Sequence, residues 1–243
     1  MVLPQLFYGR INSSFFPAWP GLPWVPVWAC LFSIFTIVAC IAISFDFKGR
    51  ATALVLAGLL LAMLVFGSLS FELFIDPARS HLFAWGALLT GLAITGGAFV
   101  VAGSFTVETT DQKPSFIRGP GNLISLGSLF FCITIVTYGC FHFAYPEQVF
   151  TLFPNWIPYR MFWTYFFGVV LVLNGLAILF RIQLRLAGIL MSTILIMFLI
   201  VIHIPLAIAD PWGANAFQLT RVFGALAFSA TAYLIAFKAV PKG

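Results

Sequence analysis

The chain has 243 residues, 62% of them hydrophobic and only 8% charged, where an ordinary globular domain carries about a quarter charged residues. This composition excludes a soluble domain and leaves an integral membrane protein whose first partner is the lipid bilayer, with no nucleic acid expected. The net charge of +5 marks no anionic partner either, because the twelve lysines and arginines are spread over the loops and do not form a patch.

Seven apolar runs nearly free of charge are each long enough to cross the roughly 30 Å hydrocarbon core as a helix rising about 1.5 Å per residue. In chain order they are predicted at 23–45, 52–74, 82–104, 122–144, 161–181, 185–208 and 217–237. The first is expected to persist as a span and not be cleaved as a signal peptide: no basic segment precedes it, it is too long, and no small-residue cleavage pattern follows it. Cys30 and Cys40 in the first run, and Cys132 and Cys140 in the fourth, form no CxxC pair and keep no metal-ligand spacing. They read as small core residues.

Between the third and fourth runs stands the long polar stretch "SFTVETTDQKPSFIRGPG", Ser104 to Gly121. It reads as a cytoplasmic linker over 105–121, dividing a first bundle (1–104, three helices) from a second (122–243, four helices). Lys48, Arg50, Lys113, Arg118, Arg181, Arg185, Lys238 and Lys242 fall on one side of the membrane, against Arg10, Arg79, Arg160 and Arg221 on the other. The positive-inside rule therefore places the N-terminus outside and the C-terminus in the cytoplasm.

The two halves repeat one another. "LFYGRINSSFFPAWPGLPWVPVW" near the start answers "FAYPEQVFTLFPNWIPYRMFW" after the fourth run, with FPAW (16–19) on FPNW (153–156), Tyr8 on Tyr145, Pro23 on Pro158 and Trp28 on Trp163. Further along, Asp76-Pro77 meets Asp210-Pro211, and "TGLAITGGAFVVAG" (90–103) overlays "GALAFSATAYLIAF" (224–237) without a gap. Spans one to three thus match spans five to seven in the same orientation, a parallel internal repeat. The fourth span has no counterpart. The expected fold is all-α, seven transmembrane helices arranged as a 3+4 repeat of a four-helix bundle, with a groove in the first bundle where a helix is missing.

Ionisable groups at membrane depth are costly and point to function first. By the rise per residue, His203 on the sixth span and Arg221 on the seventh both lie roughly 6–8 Å below the outer boundary, on helices joined by a short loop. His142 on the fourth span comes at a similar level, with Gln218, Glu147, Trp163 and Asp210 above or beside it. Two readings stay open: an outer-leaflet pocket for a quinone ring, a lipid headgroup or a small redox substrate, or a polar rim in which Arg221 snorkels and the histidines bond to backbone carbonyls. Glu72 and His81 near the same boundary read as solvated helix ends rather than a salt link. The seven tryptophans, all toward that boundary, read as an aromatic belt.

No GxGxxG, Walker A, CxxCH or HExxH motif is present, so no dinucleotide, ATP, haem or metal site is expected from motif, and any cofactor stays unassigned. Three histidines on one side cannot supply paired ligands at two depths for two haems, which leaves open only one haem or metal near that face. A retinal protein is excluded because the last span carries no mid-membrane lysine. A transporter is the weaker choice, because no span is broken by paired glycine and proline at matching midplane positions.

The second half, from about Leu123 to Phe237, resembles the DoxX-like family of small four-helix bacterial membrane proteins. The resemblance rests on "GCFHFAYPE" (139–147), "FPNWIP" (153–158), "FWTYFFG" (162–168), "RLAGILM" (185–191), "HIP" (203–205) and "RVFGALAFSATAYLI" (221–235). It implies a quinone- or redox-linked setting in the bacterial cytoplasmic membrane. Two functions follow as expectations. The first is a non-catalytic accessory or scaffold subunit of a larger respiratory or photosynthetic complex, in contact with other membrane subunits. The second is an oxidoreductase subunit binding quinone or a small sulfur substrate near His142, His203, Arg221, Gln218, Glu147 and Trp163.

Overall fold

The computed structural model describes residues 14–17, 19, 21, 23–76, 81–105, 120–211 and 213–238, with side chains from Asn122 in the fourth long helix and from Gln218 in the last. Most of the linker expected over 105–121, together with Tyr8, Arg10, Pro77, Arg79 and Trp212, lies outside the described residues. The described chain is helical and contains no strand. Among the described residues seven helices are long and apolar enough to cross a membrane: α1 (Val25–Ser44), α2 (Gly49–Phe74), α3 (Leu82–Ser104), α4 (Pro120–Ala144), α6 (Arg160–Leu179), α7 (Leu184–Ala209) and α8 (Gly213–Lys238). A short helix, α5 (Pro146–Phe150), lies between α4 and α6, started by Pro146, whose missing N–H costs nothing in a first turn. The protein is therefore a multi-pass membrane protein.

The chain divides into two compact units, residues 1–130 and 131–243, with the boundary inside α4. In the first, Ala53, Ala57 and Leu60 of α2 pack with Ala98, Phe99 and Ala102 of α3 and with Leu123 at the start of α4. The second is built on small residues: a methyl added at Gly188 of α7 would stand 2.7 Å from the Cβ of Ala236 on α8. One to two turns away, the hydroxyls of Ser192 and Ser229 meet at 3.0 Å, and the Ser229 hydroxyl also donates to the Ser192 carbonyl at 3.2 Å. Close backbones and interhelical hydroxyl bonds hold helices together where lipid removes the hydrophobic drive between them. Changing Ser192→Ala is expected to cost about 1 kcal/mol, the scale of such bonds in membrane bundles. Unfolding in mixed micelles measures it, and an unchanged midpoint would show that the bond adds nothing.

The backbone has the same local course in both units. Helices α1 and α6 are both 20 residues long and start 135 positions apart (25 to 160). Helices α2 and α7 are both 26 residues long with the same offset (49 to 184). Among the described residues the six non-glycine positions with positive φ fall into three pairs at that spacing: Trp24 with Tyr159, Asp46 with Arg181, and Lys48 with Gln183. The connector bonds match as well. The Phe47 N–H donates to the Ala42 carbonyl as that of Ile182 does to Ala177, closing the end of α1 and of α6 with a left-handed residue at Asp46 or Arg181.

Both second helices also widen into a π turn, Leu64–Leu69 in α2 and Leu199–His203 in α7. In α7 the cause is Pro205, which has no N–H to offer the preceding turn. In α2 the hydroxyl of Ser70 at the matching position takes the Val65 carbonyl at 2.9 Å.

The cysteines depart from expectation. Cys132 is buried, but Cys30, Cys40 and Cys140 are exposed on helix surfaces. A thiol is apolar enough to face hydrocarbon, so residence in a span did not require residence in the core.

Candidate functional site

The predicted polar residues of the second unit lie at the end of the helices where the 145–159 connector runs. Three elements shape that end. Arg160, at the start of α6, donates to Asn155 Oδ1 at 2.8 Å and to the Phe153 carbonyl at 3.4 Å, with its guanidinium 5.0 Å from the centre of the Phe150 ring. That arrangement pins the FPNW connector, and buried Phe153 stacks on Phe167 of α6. The π turn of α7 ends at His203, and α8 carries Gln218 and Arg221 three residues apart, hence on one face.

His142, in the last turn of α4, is buried, and its Nδ1–H donates to the Tyr138 carbonyl one turn back at 2.8 Å. Gly168 of α6 lets the two helices approach here: a methyl there would stand 2.7 Å from the His142 Cβ. This is the backbone-bonded histidine of the polar-rim reading, and it leaves only Nε2 for anything else. Arg221 lies within Coulombic range of both His203 and Tyr138, so α4, α7 and α8 each contribute a polar group to one neighbourhood. Within it, His203 Nδ1 and Gln218 Oε1 are buried and have no hydrogen-bond partner among the described residues. A buried polar atom without a partner costs about 1–3 kcal/mol, which makes this the place to look for a ligand.

The other two predicted residues stand differently. Glu147 is exposed in the first turn of α5, where its charge suits the helix N-terminus. Trp163 is half-buried in an aromatic run along α6, edge-on to Phe162 and Phe166 and stacked at 5.8 Å on Phe167. Tyr138 was missed from sequence because an aromatic in an apolar run attracts no notice. Its spacing of four from His142, one helical turn, was the available signal.

The first unit treats the same positions otherwise. Ser68, 135 residues before His203, donates to the Ser14 carbonyl at 3.0 Å, and Trp19 Nε1–H donates to the Gly67 carbonyl at 3.2 Å. Gly67 and Gly91 sit against the Phe15 and Ser14 carbonyls with no room for a methyl. At the matching places the second unit has Ile202 and Ala225. Among the described residues the connector that satisfies Ser68 has no equivalent bond at His203. Glu72 of α2 is buried at 5% exposure, not solvated. Among the described residues no group of three His, Cys, Asp or Glu side chains could hold a metal ion.

No family model, curated protein or solved structure matches the chain.

Proposed function

We propose that the chain is a non-catalytic transmembrane accessory subunit of a larger energy-converting complex of a bacterial cytoplasmic membrane. It is read as a DoxX-like four-helix bundle, α4 with α6 to α8, preceded by a copy of the same unit lacking its first helix, in a parallel 3+4 repeat with the N-terminus outside. The observation that carries this reading is the 135-residue correspondence in helix lengths and left-handed residues. The framework recurs while the polar groups do not: Ser68 stands for His203 at that offset, and Ala87 for Arg221 at the 134-residue offset of the last span. A framework kept without its polar residues suits a part whose task is to pack other helices. Extraction from native membranes in mild detergent tests it. Co-migration with further subunits is expected, and a lone, monodisperse protein would refute it.

A second reading is favoured by His203 Nδ1 and Gln218 Oε1, which have no partner among the described residues, beside Arg221. Here the second unit binds a quinone or a small sulfur substrate, with imidazole and guanidinium donors on its oxygens. Changing His203→Ala together with Arg221→Ala is then expected to abolish quinone reduction by the purified assembly, and unchanged turnover removes this reading.

A further inference from the structure

Positions 68 and 203 hold the same place in the two units, 135 residues apart, and differ in what completes them. Ser68 is buried and finds its acceptor in its own chain, the Ser14 carbonyl at 3.0 Å. Two glycines make this possible, since Gly67 and Gly91 let the Phe15 and Ser14 carbonyls close on α2 and α3 where a methyl would collide. In the second unit those places belong to Ile202 and Ala225, whose buried side chains keep a backbone carbonyl from coming so near. Among the described residues nothing bonds to His203 Nδ1 or to Gln218 Oε1.

The position in the helices decides what is available there. Helix α7 has 26 residues, about 39 Å, against a hydrocarbon core of roughly 30 Å. His203 stands six residues before its end, about 9 Å, which sets it near the boundary where ester groups meet acyl chains. On α8 the Cα–Cβ bonds tilt toward the helix N-terminus, so Gln218 and Arg221 lean toward the headgroups. Ile200, Ile204 and Ile208 are exposed in a stripe along α7, and His203 is half-buried at its margin. Lipid thus passes beside the three polar groups.

We propose that His203, Gln218 and Arg221 hold the headgroup of one phospholipid of the leaflet at that end. Arg221 has a partner within the protein, and its guanidinium, with five N–H donors, also serves the phosphate. His203, with its proton on Nδ1, donates to an ester carbonyl, the ligand's counterpart of the Ser14 carbonyl in the first unit. Gln218 Oε1 can only accept, so the headgroup brings a hydroxyl or an ammonium to it. A quinone has carbonyl oxygens and no donor, and would leave Gln218 Oε1 unsatisfied. The inference stands apart from the accessory-subunit reading and gives the site of the second reading a different ligand.

Native mass spectrometry of the delipidated full chain in detergent, titrated with dioleoyl lipids, tests this. One tightly held phosphatidylglycerol or phosphatidylethanolamine is expected. Phosphatidylcholine, which has the phosphate but no headgroup donor, should be held about tenfold more weakly. The diether form of phosphatidylglycerol, which lacks the ester carbonyls, should lose a similar factor. Gln218→Leu is expected to erase the preference over phosphatidylcholine, and His203→Leu the preference for the diester, each leaving the other preference in place. Equal retention of all four lipids by the unmodified chain overturns the inference even where neither variant folds, and so do preferences that survive both substitutions. A benzoquinone that displaces the bound lipid one for one overturns it in favour of the second reading. The accessory-subunit reading is decided separately, by co-migration.

Discussion

Replacing Gly127 with valine is expected to cost about 3 kcal/mol of stability, the upper end of what overpacking a tight contact costs. Gly127 lies where α4 crosses α3 in the first unit, and a Cβ there would run into the Gly96 carbonyl oxygen, 2.7 Å from a Val100 methyl and 2.9 Å from the Val100 backbone nitrogen. Two of these neighbours are helical backbone and cannot rotate away. The helices would have to separate, losing the packing that binds them in lipid. Gly58 on α2 is the control, because a Cβ there meets nothing within 4 Å. Gly58→Val should leave the unfolding midpoint in mixed micelles nearly unchanged, and an equal loss in both variants would show that the crossing is not what valine disturbs.

The second large effect is expected at Phe167. Its ring is buried, stands edge-on to Phe198 of α7 at 4.7 Å, stacks on Phe153 of the connector at 6.3 Å, and touches Trp163 and Phe166 on its own helix. Truncation to alanine would open a cavity under the connector and strip four aromatic neighbours of a partner, a loss of about 3 kcal/mol. Phe32, its counterpart 135 residues earlier, is half-buried and has its ring contact with Phe15 at 6.4 Å. Phe32→Ala should cost about 1 kcal/mol, since a half-open site leaves a smaller cavity. Thermal denaturation of the two variants measures the difference. Equal losses would show that the aromatic run contributes nothing beyond the apolar area of one ring.

The seven long helices were legible because a lipid-crossing helix must hide its backbone within a long apolar run, and the predicted runs fall within a few residues of the observed helices. The ends were less so: α2 begins at Gly49, before the run predicted at 52, because a helix may carry charged residues once it reaches the headgroups. The turns were not legible. A left-handed residue usually announces itself as glycine, whereas here Asp46, Lys48, Arg181 and Gln183 take that conformation. At the polar end, counting residues placed His203 and Arg221 at one level, since depth follows from rise per residue alone. The bond that His142 makes to its own helix depends on a rotamer, and the fate of Glu72 depends on which neighbours cover it. Neither leaves a mark in composition.

The connectors at 45–48 and 180–183 each hold two left-handed non-glycine residues, at a conformational cost of about 1–2 kcal/mol apiece. Chain held that tightly has no slack. Helices α1 and α2 cannot be threaded into the bilayer far apart and paired afterwards, nor can α6 and α7, and the turn fixes which faces of the two helices meet. A glycine-rich extension spliced into residues 180–183 is therefore expected to lower the yield of assembled protein before it changes anything at the polar end.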